Sequence, residues 1–258
     1  MQCLSTKMKA KVLASGSKGN VTIVLCDETK ILIDIGLSYN KTKALLEDNN
    51  LVFDEFSGIL ITHNHSDHIR GLSSLIKYTK LNVYIPKKMY KDIENAVPIE
   101  RCVFIGDNFS INDVNIELIH TSHDAPNSFG YIIEYNRKQL VYVTDTGYIN
   151  RKILSRIKNK DIYILESNHD EAMLMDGPYP RFLKERVISD KGHLSNRTTA
   201  RYLKNSIGEN TKYIVLAHLS ETNNTKDLAY QETNELLNND NIKILVAEQE
   251  NSTMMLEV

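Results

Sequence analysis

Apolar residues fall into short runs along this chain rather than long helical stripes. Runs at residues 11–15, 21–27 and 30–35 are rich in β-forming residues and are broken by Gly16, Gly19, Asn20 and Gly36, the pattern of neighbouring strands joined by tight turns. Further strands are expected at 59–62, 83–86, 114–119, 129–135, 139–144, 162–166, 213–217, 244–248 and 253–258. Helical spacing is expected at 41–47, 67–78, 88–95, 151–158, 196–206 and 227–237; the last sets Leu228, Leu236 and Leu237 among polar residues. The Asn-rich stretches 49–50 and 238–241 read as turns. Many neighbouring strands lie too close in sequence for a helix between them, so they pair as hairpins. The class that accommodates such hairpins beside helices is α/β (α+β), with two sheets packed face to face and helices outside. No repeat, Pro-rich linker or low-complexity tract interrupts the chain, so one domain over residues 1–258 is expected. Met8 opens the first strand at once, which makes residues 1–7 an expected extension without structure and Met8 an alternative start.

An apolar fraction of 41% with 25% charged residues sets disorder, collagen and coiled coil aside. A formal net charge of −2 excludes a globally basic nucleic-acid coat but leaves room for a local basic patch. Cys3, Cys26 and Cys102 are odd in number and form no CxxC, which argues against a disulfide partner or a thiolate metal site and fits a reducing compartment. The first twenty residues carry no apolar signal core, and no run approaches the roughly 18 apolar residues of a membrane span. A cytoplasmic protein without a membrane partner is the expectation.

The histidines carry the chemistry. His63, His65 and His68 stand with Asp67 in one stretch, THNHSDH, after a strand and before a helical pattern. Imidazole nitrogen and carboxylate oxygen are the usual ligands of Zn²⁺ and similar divalent ions. In extended chain His63 and His65 share a side, while Asp67 and His68 sit on a first helical turn and reach a second point nearby. One loop thus supplies two neighbouring metal positions. His123, Asp145 and His218 each follow an apolar β run, where sheet ends present functional groups. His120 lies three residues before His123, faces the other way and is read as structural.

With these residues in view, the chain resembles the metallo-β-lactamase superfamily, beginning with SGSKGN at 15–20 and LIDIG at 32–36. The segments ESNHD (166–170), GHLSN (192–196) and AHLSETNN (217–224) resemble the YycJ/WalJ branch, related to ribonuclease Z and the phosphodiesterase PhnP. The resemblance implies a four-layer αββα sandwich of two mixed sheets with outer helices. It implies that His63, His65 and His123 hold one divalent ion, that Asp67, His68 and His218 hold another, and that Asp145 bridges them. Asp34 would support the ligand loop from behind.

Two divalent ions about 3.5–4 Å apart share one water and bring its pKa towards neutrality, so that the bridging hydroxide is the nucleophile. The reaction class is hydrolysis, with two divalent ions (Zn and/or Mn, with Fe as an alternative) as cofactor. By resemblance, His193 would protonate the leaving group and Glu166 would orient it; with Asp67 these form the expected catalytic set. Arg181, Lys184, Arg186, Lys191, Arg197, Arg201 and Lys204 crowd the flanks of His193, which suits a phosphate backbone. A second basic run spans 151–160 and reads equally well as a solvated helix face. Expected substrate contacts are Ser17 and Asn20 in the Gly-containing turn, Asn168 and His169 at a strand end, and Arg197. The turn reads equally as a phosphate cradle or as a tight hairpin. The resemblance implies a nuclease, a DNA exonuclease working from the 5′ end of double strands. The alternatives are a thioester or other small-molecule hydrolase on the same fold, and a non-catalytic nucleic-acid-binding module.

Overall fold

A computed structural model describes residues 7–258, so the extension expected at 1–7 lies, but for Lys7, outside the described residues. The first half of the chain builds one sheet from β1 (Met8–Ala14), β2 (Val21–Cys26), β3 (Thr29–Ile33), β4 (Gly58–Leu60), β5 (Val83–Pro86) and β6 (Cys102–Ile105). The second half builds another from β7 (Asn108–Ile111), β8 (Val114–His120), β9 (Phe129–Tyr135), β10 (Lys138–Val143), β11 (Ile162–Glu166), β12 (Tyr213–Ala217) and β13 (Lys243–Val246); β14 (Leu256–Glu257) returns to β1. The strand orders are β14-β1-β2-β3-β4-β5-β6 and β13-β12-β11-β10-β9-β8-β7. Both sheets are mixed in the same way. Hairpins make the first part antiparallel, and crossovers make β3 to β6 and β10 to β13 parallel.

The alternation along the strands of the second sheet decides the layers. Leu140 and Tyr142, Ile162 and Ile164, and Val215 and Ala217 enter the core shared with the first sheet. Their neighbours Val141, Val143, Tyr163, Leu165, Ile214 and Leu216 face the other way, into a second core with Leu203 and Ala229. A period of two on a strand buried on both faces requires partners on each side. Leu203 belongs to α8 (Asn196–Ser206) and Ala229 to α9 (Lys226–Leu237), which cover the outer face. The two-sheet architecture with outer helices is the one expected.

Local differences have local causes. The single helix expected at 67–78 is two, α2 (Ser66–Ile69) and α3 (Leu72–Tyr78), and the helix expected at 88–95 shrinks to a 3₁₀ turn, Lys87–Met89, followed by α4 (Tyr90–Ile93). β6 and β7 were not expected: both are four-residue edge strands, and β6 is only half-buried, so neither shows clean alternation. Also unexpected are α6 (Glu171–Asp176) and α7 (Arg181–Ile188), either side of a Gly-Pro break, with Met175, Phe182 and Ile188 left in solvent. α1 (Tyr39–Glu47) and α5 (Arg151–Arg156) lie within the expected patterns or close to them. No helix among the described residues is long and apolar enough to cross a membrane.

Candidate metal centre

The carboxyl ends of β3, β4, β10, β11 and β12 converge, with the segment after β8, at one rim of the sandwich. Strand ends at such a rim are where open α/β sheets place ligands. Three of these ends, after β3, β10 and β12, turn sharply: Asp34, Asp145 and His218 have φ of 59°, 55° and 56°. This left-handed conformation is costly for residues with a side chain and is held here by surrounding contacts.

The loop after β4 is fixed from both sheets before it offers any ligand. Tyr131, buried on β9, donates its hydroxyl to Ile61 O at 2.6 Å, and Phe129 N donates to Thr62 O at 2.9 Å. On the other side Ile35 N donates to His68 O and Asn20 N to Asp67 O, both at 2.8 Å. Gly36 is required there, since a Cβ would lie 1.6 Å from Asp67 O.

The expected residues then come together. Four groups, His63–His65–His123, His63–His68–Asp145, Asp67–His68–His218 and Asp145–Glu166–His193–His218, each bring ligand atoms within 4.8 Å of one another. His68 Nε2 lies 3.5 Å from Asp67 and 3.3 Å from Asp145; His218 Nε2 lies 3.4 and 3.5 Å from the same two carboxylates. His123 Nε2 stands 3.4 Å from His65 Nδ1 and 3.7 Å from Asp145.

The outer partners choose which nitrogen of each ring faces inward. His68 Nδ1 donates to Asp34 Oδ2 at 2.7 Å, His218 Nδ1 to Glu166 Oε1 at 3.3 Å, and His123 Nδ1 to Gly192 O at 3.2 Å. His63 Nδ1 contacts Thr62 Oγ1 at 3.1 Å. These four rings therefore turn Nε2 inward. His65 is reversed: its Nε2 points to Asp124, 3.6 Å away, and its Nδ1 faces the cluster. Holding one ring nitrogen to free the other is how metal-binding histidines are oriented.

Charge follows the same geometry. Burial opposes ionisation of Asp67, but His218 and His68 outweigh it and hold the carboxyl well below its usual range. Asp145 is depressed by His218 and His68 against the same burial penalty. Burial lowers His218, yet Asp145, Asp67 and Glu166 carry it up to about 10, and His68 is raised by Asp145 and Asp34. His63, buried among other histidines, is pushed well below its ordinary value. Among the described residues, His63 Nε2 and Asp145 Oδ2 are buried without a hydrogen bond of good geometry. Unsatisfied buried acceptors facing one another in an N/O donor set are what a divalent cation satisfies. The cluster fits divalent metal.

His193 borders the cluster. Gly192 packs so closely against the end of α7 that a Cβ would lie 2.1 Å from Val187 O, and His193 N donates to that oxygen at 2.9 Å. His193 Nδ1 donates to Glu166 Oε1 at 2.6 Å, while Glu166 Oε2 accepts from Thr146 N and Leu194 N at 3.0 and 3.3 Å. Glu166 is fully buried, yet His193 and His218 bring its pKa down to about 2. His193 is raised by Glu166 and Asp145 although burial lowers it.

A cleft of about 160 Å³ opens beside His193 and His218, with Ser17, Asn168, Tyr179 and Arg186 among its walls. Of the expected substrate contacts, Ser17 and Asn168 line it. Asn20 instead lies beneath the cluster, 1% exposed, its Nδ2 3.1 Å from His68 Nε2 and 3.3 Å from Asp67 O. The turn above it has little to offer a phosphate, because Gly16 N, Lys18 N and Gly19 N already donate to Asn20, Gln249 and Gly16 O. His169 is buried and lines a separate cavity, and Arg197 is exposed and is not among the residues lining the cleft. Among the basic residues flanking His193, Arg186 is the one in the cleft wall, bonded to Asp124 at 2.6 Å. Arg181 pairs with Glu185 and Lys184 with Met175 O. In the 151–160 run Arg156 holds Glu117 and Lys160 holds Gln139. His120 stands outside the cluster, 3.5 Å from Asp107.

Sequence reasoning missed Asp124, although it follows His123 directly; its meaning depends on Arg186, 62 residues away. It also missed the work of the motif asparagines. Asn196 and Asn224 bond each other at 2.8 and 2.9 Å, and Asn224 Nδ2 also donates to Ser167 O and Asn168 O, locking the loop after β11 to α8.

The family model described as the beta-lactamase superfamily domain matches residues 29–218. The exodeoxyribonuclease YycJ of Bacillus anthracis is 40% identical over 231 residues, 88% of each chain. The exodeoxyribonuclease WalJ of Streptococcus pneumoniae is 37% identical over 229 residues, 86% of this chain and 85% of that one. Among solved structures, the metallo-β-lactamase fold protein YhfI of Bacillus subtilis superposes with a TM-score of 0.75 at 15% identity, covering 98% of this chain and all (100%) of that one, a likeness of fold. Strand order, the histidine–aspartate cluster and these matches agree that the chain belongs to the metallo-β-lactamase superfamily, alongside the YycJ and WalJ proteins.

Proposed function

We propose that this protein is a metal-dependent phosphodiester hydrolase acting on DNA, an exonuclease that degrades double strands from the 5′ end. The observation that carries the reading is the cluster of five inward-facing imidazole nitrogens and the carboxylates of Asp67 and Asp145, with the His193–Glu166 pair at its edge. His63, His65 and His123 would hold one divalent ion and Asp67, His68 and His218 a second, with Asp145 shared; zinc or manganese suits the set, and iron is the alternative. Bound there, such ions supply an activated water and stabilise negative charge on the substrate.

The chain's own groups do the rest. Glu166 accepts from His193 Nδ1 and so turns Nε2 towards the cleft, where it delivers a proton to the departing oxygen. The anionic Glu166 favours the protonated ring before transfer. Arg186 offers its guanidinium to a phosphate oxygen in place of Asp124, and Ser17 and Asn168 border the same path. The exodeoxyribonuclease names of the relatives favour DNA over a thioester or another small molecule. Cys26 and Cys102, unpaired among the described residues, suit the cytoplasm.

The test is hydrolysis of duplexes labelled at either end, single strands and RNA across a series of Zn²⁺, Mn²⁺ and Fe²⁺, beside a thioester assay. Mononucleotide release starting at the 5′ end of duplex DNA is expected, abolished in D145A. Thioester cleavage without nucleolysis refutes the proposal, as does binding of DNA with no cleavage under any metal.

A further inference from the structure

His193 is the common wall of two cavities. One is the cleft with Arg186. The other, about 310 Å³, opens between the loop after β11, the end of α7 and the start of α8. No Lys or Arg lines it, and its one carboxylate is Glu171. Glu171 Oε1 accepts from Ser195 Oγ at 2.9 Å. His169 is 2% exposed, yet its Nδ1 has no hydrogen-bond partner among the described residues. An unsatisfied buried ring nitrogen calls for a partner, which a ligand seated in the cavity beside it can supply. Burial brings His169 down to about 4, so the ring is neutral at neutral pH. The rim is apolar: Met175 and Ile188 are 59% and 56% exposed.

This chemistry rejects a phosphate, which the carboxylate would repel. It suits an uncharged planar heterocycle that sets its faces against apolar side chains and its polar edge towards His169 and Glu171. We propose that the cavity receives the nucleobase of the nucleotide next to the scissile phosphodiester, with Met175 and Ile188 against its faces and His169 and Glu171 at its edge. The inference rests on the phosphodiesterase reading, in which His193 stands at the cleaved bond and so between phosphate and base. It explains why α6 and α7 keep large apolar side chains in solvent beside the site.

The test uses metal-loaded protein and duplexes whose terminal linkages are phosphorothioates, so that binding is read by fluorescence anisotropy while cleavage is slow. One abasic site is moved through the first few positions from the end. At one position its introduction is expected to weaken binding about 5- to 150-fold, the usual weight of one stacked base. M175A and I188A should weaken the intact duplex by a similar factor and leave that abasic duplex unchanged. Both side chains are on the surface, so these variants fold; H169Q, which alters the edge contact, should act in the same direction. The proposal is overturned if every abasic duplex binds like the intact one, if the variants weaken intact and abasic duplexes alike, or if no duplex binds. A protein that discriminates the abasic position but hydrolyses no nucleic acid with any metal would instead sink the nuclease reading alone.

Discussion

Asp34→Asn exchanges one oxygen for an amide N–H₂ with almost no change of shape, at a position with no solvent exposure. Asp34 Oδ1 accepts from Thr62 N at 2.8 Å, and Oδ2 accepts from Thr62 Oγ1 at 2.8 Å and His68 Nδ1 at 2.7 Å. Asparagine keeps its oxygen on Thr62 N only by turning its N–H₂ towards His68 Nδ1. That nitrogen must then accept, which moves the ring proton to Nε2, the atom that faces Asp67 and Asp145. A protonated Nε2 has no lone pair for a cation. The opposite amide orientation sets two donors against each other at Thr62 N and leaves one buried donor unsatisfied, at a cost of about 1–3 kcal/mol. D34N is therefore expected to fold with stability lowered by about that amount and to bind zinc or manganese about 10–100-fold more weakly, the range for lost outer-shell partners. In free energy that is about 1.4–2.7 kcal/mol. Competition against a chromophoric chelator reads the affinity, and urea unfolding in EDTA reads the stability. D34N that takes metal from the chelator as well as the unchanged protein would refute the role given to Asp34 and the inward-facing Nε2 of His68.

Other consequences are open to direct measurement. H193A should lower turnover of DNA about 100-fold or more, the usual weight of a general acid, but turnover of a p-nitrophenyl phosphodiester less than tenfold; equal losses would remove His193 from proton transfer. G36A must move Asp67 O, which a Cβ would approach to 1.6 Å, so it should cost about 3 kcal/mol in urea unfolding and weaken metal binding; stability and affinity both unchanged would contradict the packing. Burial pushes Tyr163 up to about 12 and also raises Tyr131 and Tyr142. Each neutral phenol is favoured in the folded state over an unfolded value near 10, at about 1.4 kcal/mol per pKa unit. For Tyr163 the contribution is thus complete below about pH 10 and disappears as pH rises through about 12, and for Tyr131 and Tyr142 it is likewise lost only above about pH 10. Absorbance at 295 nm should show these three among 13 tyrosines ionising only as near-ultraviolet circular dichroism is lost; their ionisation in folded protein near pH 10 would count against that burial.

Much of the centre is legible because its information is local. His63, His65, Asp67 and His68 need only a strand end and one helical turn, and α2 begins at Ser66 as the pattern requires. His123, Asp145 and His218 are legible for a related reason, since an apolar β run that stops at a polar residue marks a sheet rim. The elements that escaped are those whose stability comes from elsewhere in the chain. α6 and α7 carry exposed apolar residues and a Gly-Pro break, so their spacing shows no clean amphipathic face. β6 and β7 are short edges held by one neighbour each.

Residue order alone determined which donor types the rim would carry and which of them stand side by side, because backbone periodicity fixes side-chain direction over a few residues. Tertiary structure alone decided how those groups are used. It turned His65 opposite to the other rings, gave Glu166 to both His193 and His218, sent Asn20 beneath the cluster, closed the N–H groups of the glycine turn with internal partners, and left Arg186 in the cleft while Arg181 and Lys184 paired elsewhere. Each of these outcomes depends on a partner brought close by sheet order and crossover rather than by chain spacing. A hydrogen bond's direction is set only when both ends are in place, and for His218 and Ser15 those ends are 203 residues apart.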